Sequence, residues 1–287
     1  MTILVTGATG KLGSKVVDLL LQSVPAHELA VSVRDPQKAE GLREQGVDVR
    51  QGDFDKPESL DTAFKGIERL LLISADGDTE TRIRQHSNAV KAAKQAGVKF
   101  IAYTSIANAQ KSTNFLAETH KATEKAIQNT GIPYSFLRNN WYLENEIPSI
   151  QGVLAGAPWV TSAGTGKVGW ALQQEYAEAA ATVLTSKNHE NTIYELSGPL
   201  LTQEELATAL GQVIGKEVPV QQVDDSTYSN LMKNAGVPDF LLPMLVAIQK
   251  DIREGSLEVE SNDFEKLLKK PNTSITEKLT KLIEDIR

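Results

Sequence analysis

The sequence predicts an α/β protein: a doubly wound parallel sheet with a smaller, mainly helical C-terminal domain. Three observations predict it. Short apolar runs alternate with helix-period segments through the first half of the chain, as happens when parallel strands are joined by crossover helices on both faces. A glycine-spaced turn, Thr6-Gly7-Ala8-Thr9-Gly10-Lys11-Leu12-Gly13, follows the first run directly. After about residue 140 the alternation loosens, which marks a change of architecture.

In chain order, residues 3–6 read as a strand, and residues 16–21 follow at helical spacing. Residues 29–33 are β-rich; residues 36–45 are polar and helix-prone, ending before Gly46. A strand is expected at 47–50 and a helix opening with proline at 57–64. Residues 70–73 form a buried strand, and a long helix over 79–96 stops at Gly97. Strand 99–104, helix 116–129 and strand 134–137 complete the alternating half. Segment 141–167, rich in Gly, Pro and Trp, reads as loops around a pocket. An Ala-rich helix (176–184) and a strand (192–196) follow. Helix 202–214 opens with Thr202 and Glu205 at capping-box spacing, and the remainder is mainly helical. The expected division is a nucleotide-binding domain over 1–141, with return elements around 168–198, and a smaller substrate domain over 142–167 and 199–287.

Composition narrows the function classes. The 287 residues carry 30 basic and 37 acidic side chains, a net charge of -7, which disfavours nucleic acid as a main partner. With no cysteine, disulfides, thiolate metal sites and a cysteine nucleophile are excluded. The four histidines, His27, His86, His120 and His189, show no metal-ligand spacing, so no metal is expected. No apolar run approaches the roughly 20 residues that cross a bilayer, and the opening residues lack the basic stretch of a signal peptide. A cytoplasmic protein without a membrane partner is expected, and a homodimer is compatible with this reading.

The glycine turn carries the strongest chemical signal. Gly7 permits the tight exit from the strand, Gly10 lets backbone approach a pyrophosphate, and Gly13 lets the helix pack closely on the strand. The phosphates then face free N–H groups at the positive end of the helix. Thr9, Lys11 and Leu12 lie between these glycines and join the expected cofactor-binding set. In this context the motif points to a Rossmann-type dinucleotide site.

The end of the second strand selects the dinucleotide. An acidic residue there accepts from the ribose 2′-OH, whereas an arginine accommodates a 2′-phosphate. Arg34 comes first off the strand and Lys38 stands about one turn on. Arg34 is suited to a forked phosphate contact, and Asp35 can cap the next helix, whose first position suits Pro36. NADP(H) is therefore the expected cofactor; the alternative sets Asp35 on the ribose of NAD(H). Asp53 and Phe54, after the third strand, are candidate adenine contacts, and Asp55 is a candidate cap for the helix at Pro57. Ser74 and Ala75 end the fourth strand, Thr104 and Ser105 the fifth, and such strand ends line the ligand crevice.

Together with the glycine turn, the stretches Val33-Arg34, Gly52-Asp53-Phe54, Tyr103-Thr104-Ser105 and Leu137-Arg138-Asn139-Asn140-Trp141-Tyr142 resemble the NmrA-like type of atypical short-chain dehydrogenase/reductases. Within that type the chain is similar to bacterial type 2 NADPH:quinone oxidoreductases. The likeness includes residues 120–125, Gly164-Thr165-Gly166-Lys167 leading to Tyr176-Ala177, and Leu267-Leu268-Lys269-Lys270-Pro271. It covers nearly the whole chain.

The resemblance implies NADPH-dependent hydride transfer to a small quinone-like substrate. One departure from the wider superfamily matters. Its catalytic Tyr-x-x-x-Lys pair, registered on Glu124, falls on Leu116 and His120. Leu116 cannot donate a proton. His120, with an ordinary pKa near 6.5, is either an auxiliary proton donor or an exposed residue that only touches the ribose. Lys121 points about 100° away along the helix and is the poorer candidate. A quinone accepts hydride readily, so positioning over the nicotinamide is expected to supply much of the rate. Asn140 and Tyr142, after a buried strand end, are the expected substrate contacts, with Tyr142 also a catalytic candidate. Trp170 is expected as an apolar wall, with core packing as the alternative for it, Trp141 and Trp159. A second function, from another class, is a non-catalytic NADP(H)-sensing regulator.

Overall fold

Consecutive apolar residues without polar interruption can settle only in strands covered on both faces. In the computed structural model, which describes residues 1–112, 114 and 116–286, β1 (Ile3–Thr6) is such a strand, with Ile3, Leu4 and Val5 wholly buried. It leads through the glycine turn into α1 (Lys11–Leu21), then β2 (Leu29–Val33), α2 (Glu40–Glu44), β3 (Asp48–Gln51), α3 (Pro57–Ala63), β4 (Arg69–Leu72), α4 (Thr79–Gln95), β5 (Phe100–Ile106), α5 (Ala117–Gln128) and β6 (Tyr134–Asn139). Next come α6 (Ile147–Leu154), β7 (Trp159–Thr161), β8 (Lys167–Val168), α7 (Gln173–Thr185) and β9 (Thr192–Leu196). The chain ends with β10 (Leu201–Thr202), α8 (Gln203–Ile214), β11 (Val220–Gln222), α9 (Asp225–Asn234), α10 (Leu242–Arg253), α11 (Asp263–Leu268) and α12 (Ile275–Ile286).

The seven-stranded sheet runs β3-β2-β1-β4-β5-β6-β9. Strands β1 to β6 pair in parallel, for instance Val5 with Val31 on one side and Leu71 on the other. The order reverses between β1 and β4. In doubly wound sheets that is the switch point where strand C-termini diverge and leave a crevice.

Two compact units result. The first contains Met1–Gln110, Leu116–Asn139 and Gln173–Tyr194; the second contains Lys111–Phe115, Asn140–Leu172 and Glu195–Arg287. Gln173–Tyr194 in the first unit lies within the return elements expected around 168–198. One core of the first unit gathers Leu4, Phe64, Leu70, Leu72, Val90, Ile101, Tyr103 and Phe136. The core of the second gathers Trp159, Trp170, Leu206, Leu210, Ile252, Leu279, Leu282 and Ile283. Full burial of each large aliphatic side chain contributes roughly 1.5–3 kcal/mol.

The second unit corrects one expectation. Segment 141–167 is not a set of loops: it holds α6, β7 and β8, with β7 pairing β11 and β8 pairing β10. Its apolar residues, Leu143, Ile150, Val153 and Trp159, face the core, and three-residue strands are too short to show periodicity. The capping box at α8 is present, with Thr202 Oγ1 accepting from the Glu205 N–H and the Glu205 carboxylate from the Thr202 N–H.

The first unit buries the ion pair of Arg138 and Glu124. Arg138, at the end of β6, donates from Nε to Glu124 Oε1 (2.9 Å) and from a terminal nitrogen to Oε2 (2.8 Å). Ser105 Oγ (2.7 Å) and the Gln110 amide (2.9 Å) donate to the same carboxylate. The two charged side chains are 9% and 1% exposed. Removing one partner leaves the other charge buried and uncompensated, which costs about 3–5 kcal/mol. Glu124→Gln and Arg138→Met should each lower the unfolding free energy obtained from urea titrations by about 3–5 kcal/mol. A double variant with apolar residues at both positions should lose less than the sum; strict additivity would show that the pair is not coupled.

Candidate functional site

The phosphate turn is built as its glycines require. Gly7 adopts a left-handed backbone, φ 61°, and its carbonyl accepts from the Gly10 N–H at 2.9 Å. A Cβ on Gly13 would stand 2.1 Å from the Gly7 oxygen, so only glycine lets α1 approach β1 this closely. Gly10 is the N-cap of α1 in extended conformation, with no side chain capping the first turn and no acidic residue within it. The free N–H groups and positive helix end thus meet solvent among Gly7, Thr9, Gly10 and Lys11, all exposed, while Leu12 is buried. This uncapped cradle has the donor set and clearance that a pyrophosphate needs.

At the end of β2, Asp35 caps the short turn Pro36–Ala39, its carboxylate accepting from the Gln37 N–H at 3.1 Å. Arg34 and Lys38 are exposed, and among the described residues neither is held in an ion pair. After β3, the Asp53 carboxylate accepts from the Asp55 N–H, and Phe54 packs half-buried against the core. Asp55 does not cap α3, whose N-cap is Lys56. It pairs instead with Arg84 (2.6 Å) and accepts from Gln85 (2.9 Å), contacts that hold its carboxyl below the usual range.

The ends of β4 and β5 are wired into a buried polar network. The Ser74 N–H donates to Thr104 Oγ1 (2.9 Å), and Ser105 is engaged with Glu124. Arg82, on α4 and 7% exposed, donates to Ser74 Oγ (2.8 Å) and lies 3.3 Å from His120 Nε2. A guanidinium can only donate, so Nε2 accepts. The hydrogen of His120 then sits on Nδ1, directed at Tyr103 Oη (2.8 Å). His86 is fixed likewise: Nε2 accepts from the Ala75 N–H (2.9 Å), and Nδ1 donates to Thr123 Oγ1 (2.8 Å), which donates to the Thr119 carbonyl.

Burial, then the Arg82 charge, pushes both histidines down to about 3. The Tyr103 hydroxyl is pushed up, mainly by burial. His120 is therefore not an exposed helix histidine, and near neutral pH it is not an imidazolium able to give up a proton. Its lowered pKa has physical causes that the sequence alone did not reveal, its burial first and then the buried cation of Arg82. Arg82, His86 and Tyr103 are the residues missed by motif reading: they lie on a helix and a strand whose periodicity signals only packing.

In the second unit the residues after β6 are also tightly held. Asn140 uses its whole amide internally, donating to Ser197 Oγ (3.1 Å) and the Leu257 carbonyl (2.9 Å) and accepting from the Trp141 N–H (2.8 Å). Tyr142 is half-buried and forms a bridge to Ala171. Trp170 is 1% exposed, part of the core, and its indole donates to Glu146 (3.1 Å). The structure thus favours core packing over an apolar wall for Trp170. Trp159 is equally buried and donates to Gln203. Among the described residues no cluster of acidic or histidine side chains could hold a metal ion, and no helix is long and apolar enough to cross a membrane.

A doubly wound sheet with an uncapped glycine turn at its first helix defines a dinucleotide-binding protein of the Rossmann class. The comparisons make this specific: the NmrA-like family model matches residues 1–277, and the chain belongs to that family. It is 40% identical over 281 residues to quinone oxidoreductase 2 of Escherichia coli, covering 98% of both chains. The crystal structure of the NADPH-dependent quinone oxidoreductase of E. coli complexed with NADPH superposes with a TM-score of 0.93 at 40% identity, covering 98% of this chain and 100% of that one. The triphenylmethane reductase of Citrobacter sp. complexed with NADP(H) does so with a TM-score of 0.93 at 43% identity and the same coverage.

Two outcomes follow. A Cβ on Gly10 would lie 3.2 Å from the Gly7 oxygen, a contact that small shifts relieve. Gly10→Val should keep its circular dichroism spectrum and melting temperature but lose dinucleotide binding, whereas Gly13→Val should melt early; normal binding by a folded Gly10→Val protein would place the phosphates elsewhere. The histidines predict acid sensitivity. Above about pH 6.5 both are neutral folded and unfolded. Between 6.5 and about 3 the unfolded chain binds protons that the native state refuses, so stability falls as pH falls, by up to about 1.4 kcal/mol per pH unit for each. Urea unfolding from pH 7.5 to 5 should show the decline. The ring proton resonances of His86 and His120 should stay at their neutral positions throughout; titration of either near 6.5 contradicts the network.

Proposed function

We propose that this protein is an NADPH-dependent oxidoreductase that delivers hydride to a quinone or a similar small electrophile. The observation that carries the reading is the exposed, uncapped N-terminus of α1 together with Arg34, unpaired at the end of β2, while Asp35 is committed to its own cap. Similarity to a quinone oxidoreductase along nearly the full chain supports the substrate class.

In this reading the turn Gly7 to Gly13, with Thr9, Lys11 and Leu12, holds the pyrophosphate. Arg34, with Lys38, grips the 2′-phosphate, and Asp53 and Phe54 flank the adenine. Ser74, Ala75, Thr104 and Ser105 border the nicotinamide end. Bound NADPH supplies the hydride. The chain supplies position, which can account for much of the rate where the acceptor is intrinsically reactive. His120 serves as a neutral positioning group: it joins Arg82 to Tyr103 and so keeps Ser74 in place. Tyr142, half-buried after β6, is the substrate contact we favour, since both amide hydrogens of Asn140 are already donated internally. The reaction takes place in the cytoplasm on a small molecule.

The test is NADPH oxidation followed by absorbance with simple benzoquinones. Turnover is expected; tight NADPH binding without turnover would favour a regulatory cofactor sensor instead. Arg34→Ala should weaken NADPH about 10- to 100-fold, equivalent to the roughly 1.5–3 kcal/mol of a charge-assisted contact, and leave NADH nearly unchanged. Equal losses for both cofactors would remove Arg34 from the 2′-phosphate site.

A further inference from the structure

The helix α4 does two jobs along its length. Its C-terminal half buries Ala89, Val90, Ala92 and Ala93 in the core of the first unit. Its N-terminal half opens on Asp78, whose carboxylate accepts from the Thr81 N–H (2.9 Å). From there polar side chains reach to the loops that follow β3 and β4, at the carboxyl edge of the sheet where ligands of doubly wound folds bind. The end of β4 stands beside the glycine turn. The Ile73 N–H donates to Thr6 Oγ1 (2.9 Å), and a Cβ on Gly7 would lie 3.6 Å from that of Ile73.

Two faces of this half serve two different loops. Arg82 and His86 stand one turn apart and share a face. Arg82 donates to Ser74 Oγ (2.8 Å), and His86 Nε2 accepts from the Ala75 N–H (2.9 Å). This face holds the residues that follow β4. Gln85 and Asn88 lie roughly 110° around the helix from that pair, at about 100° per residue. The Gln85 amide donates to the Asp55 carboxylate (2.9 Å), and the Asn88 amide donates to the Phe54 carbonyl (2.9 Å). This face holds the loop after β3. Arg84 adds an ion pair to Asp55, but both partners are exposed and such a pair contributes little; the half-buried Asn88 is the firmer tie. Stability does not account for Arg82, because a guanidinium buried with a hydroxyl and an imidazole as its hydrogen-bond acceptors is costly. What the contact fixes is the position of Ser74. Both faces stand on one helix whose other half is locked in the core, so backbone geometry sets the spacing between the two loops.

We propose that α4 is the positioning element of the dinucleotide site: Gln85 and Asn88 set the loop that receives the adenine, and Arg82 and His86 set the strand end that borders the nicotinamide. These four residues act through the loops they hold. The two ends of an extended dinucleotide thus meet loops already held at a fixed separation, which lowers the ordering cost of binding. The inference rests on the cofactor reading above and adds positioning residues to it.

Two readouts on the full-length protein separate the two ends. Affinity for adenosine 2′,5′-bisphosphate, measured by calorimetry, reports the adenine end alone. Fluorescence of the dihydronicotinamide ring at saturating NADPH reports the nicotinamide end. Asn88→Leu should weaken the bisphosphate, and NADPH with it, by about 5-fold, the order expected for one neutral hydrogen bond, and leave the emission of bound NADPH as in the wild type. Arg82→Met should do the converse: bisphosphate affinity unchanged, emission of bound NADPH altered, and NADPH affinity lowered about 10-fold, the order of a charge-assisted hydrogen bond. Gln85→Leu carries the same expectation as Asn88→Leu, and His86→Phe the same as Arg82→Met; each serves if its counterpart does not fold. Variants of either face that move both readouts together, or neither, overturn the role of α4 and leave the cofactor reading standing. A wild-type protein that binds neither NADPH nor the bisphosphate overturns the cofactor reading and this proposal together.

Discussion

The pairing of Glu124 with Arg138 is the constraint on which the ligand edge of the first unit depends. A carboxylate and a guanidinium taken out of water are tolerated only when their remaining lone pairs and hydrogens are also met. Here Ser105 and Gln110 complete the set. The ends of β5 and β6, the turn after β5 and the middle of α5 are thereby bound to one point, and none can slide without exposing a buried charge. His120 lies four residues before Glu124 on the same helix face. The ion pair that fixes Glu124 therefore fixes the ring of His120 against Tyr103 and Arg82.

Arg82 shows the converse arrangement. Among the described residues no carboxylate hydrogen-bonds it, Asp76 acting only through its charge, and two neutral acceptors, Ser74 Oγ and His120 Nε2, take its hydrogen bonds. Its charge and the burial around it keep both histidines unprotonated, so the strand ends after β4 and β5 carry fixed dipoles rather than titrating groups. Such preorganised dipoles cost no rearrangement when charge moves at a reacting centre. In the second unit Glu146 is a buried acid without a cation.

The absence of the Tyr-x-x-x-Lys pair acquires a physical meaning in this setting. Where a lysine would bring a positive charge on α5, His120 brings a neutral ring, and the positive charge comes instead from Arg82 on α4. The meeting of Arg82 on α4 with His120 on α5 is invisible to a motif confined to a single helix.

Much of the protein was legible in its sequence because the signals were local. Unbroken apolar runs such as Ile3-Leu4-Val5 specify buried parallel strands wherever they occur. Gly7 and Gly13 are demanded by a backbone angle and by a clearance within the same turn, and Thr202 with Glu205 closes a cap three residues long. Asp35 could be assigned as a cap because that role depends on adjacent backbone. What the sequence could not contain was the meeting of distant side chains. Arg82 and His120 are 38 positions apart, Glu146 and Trp170 are 24 apart, and the shifted pKa values of His120 and Glu146 come from burial that exists only after folding. Segment 141–167 looked irregular because its strands are two or three residues long and pair with partners far along the chain. Local sequence determined the fold class and the cofactor cradle; tertiary packing decided which groups hold protons, because a pKa is a property of the surroundings rather than of the residue.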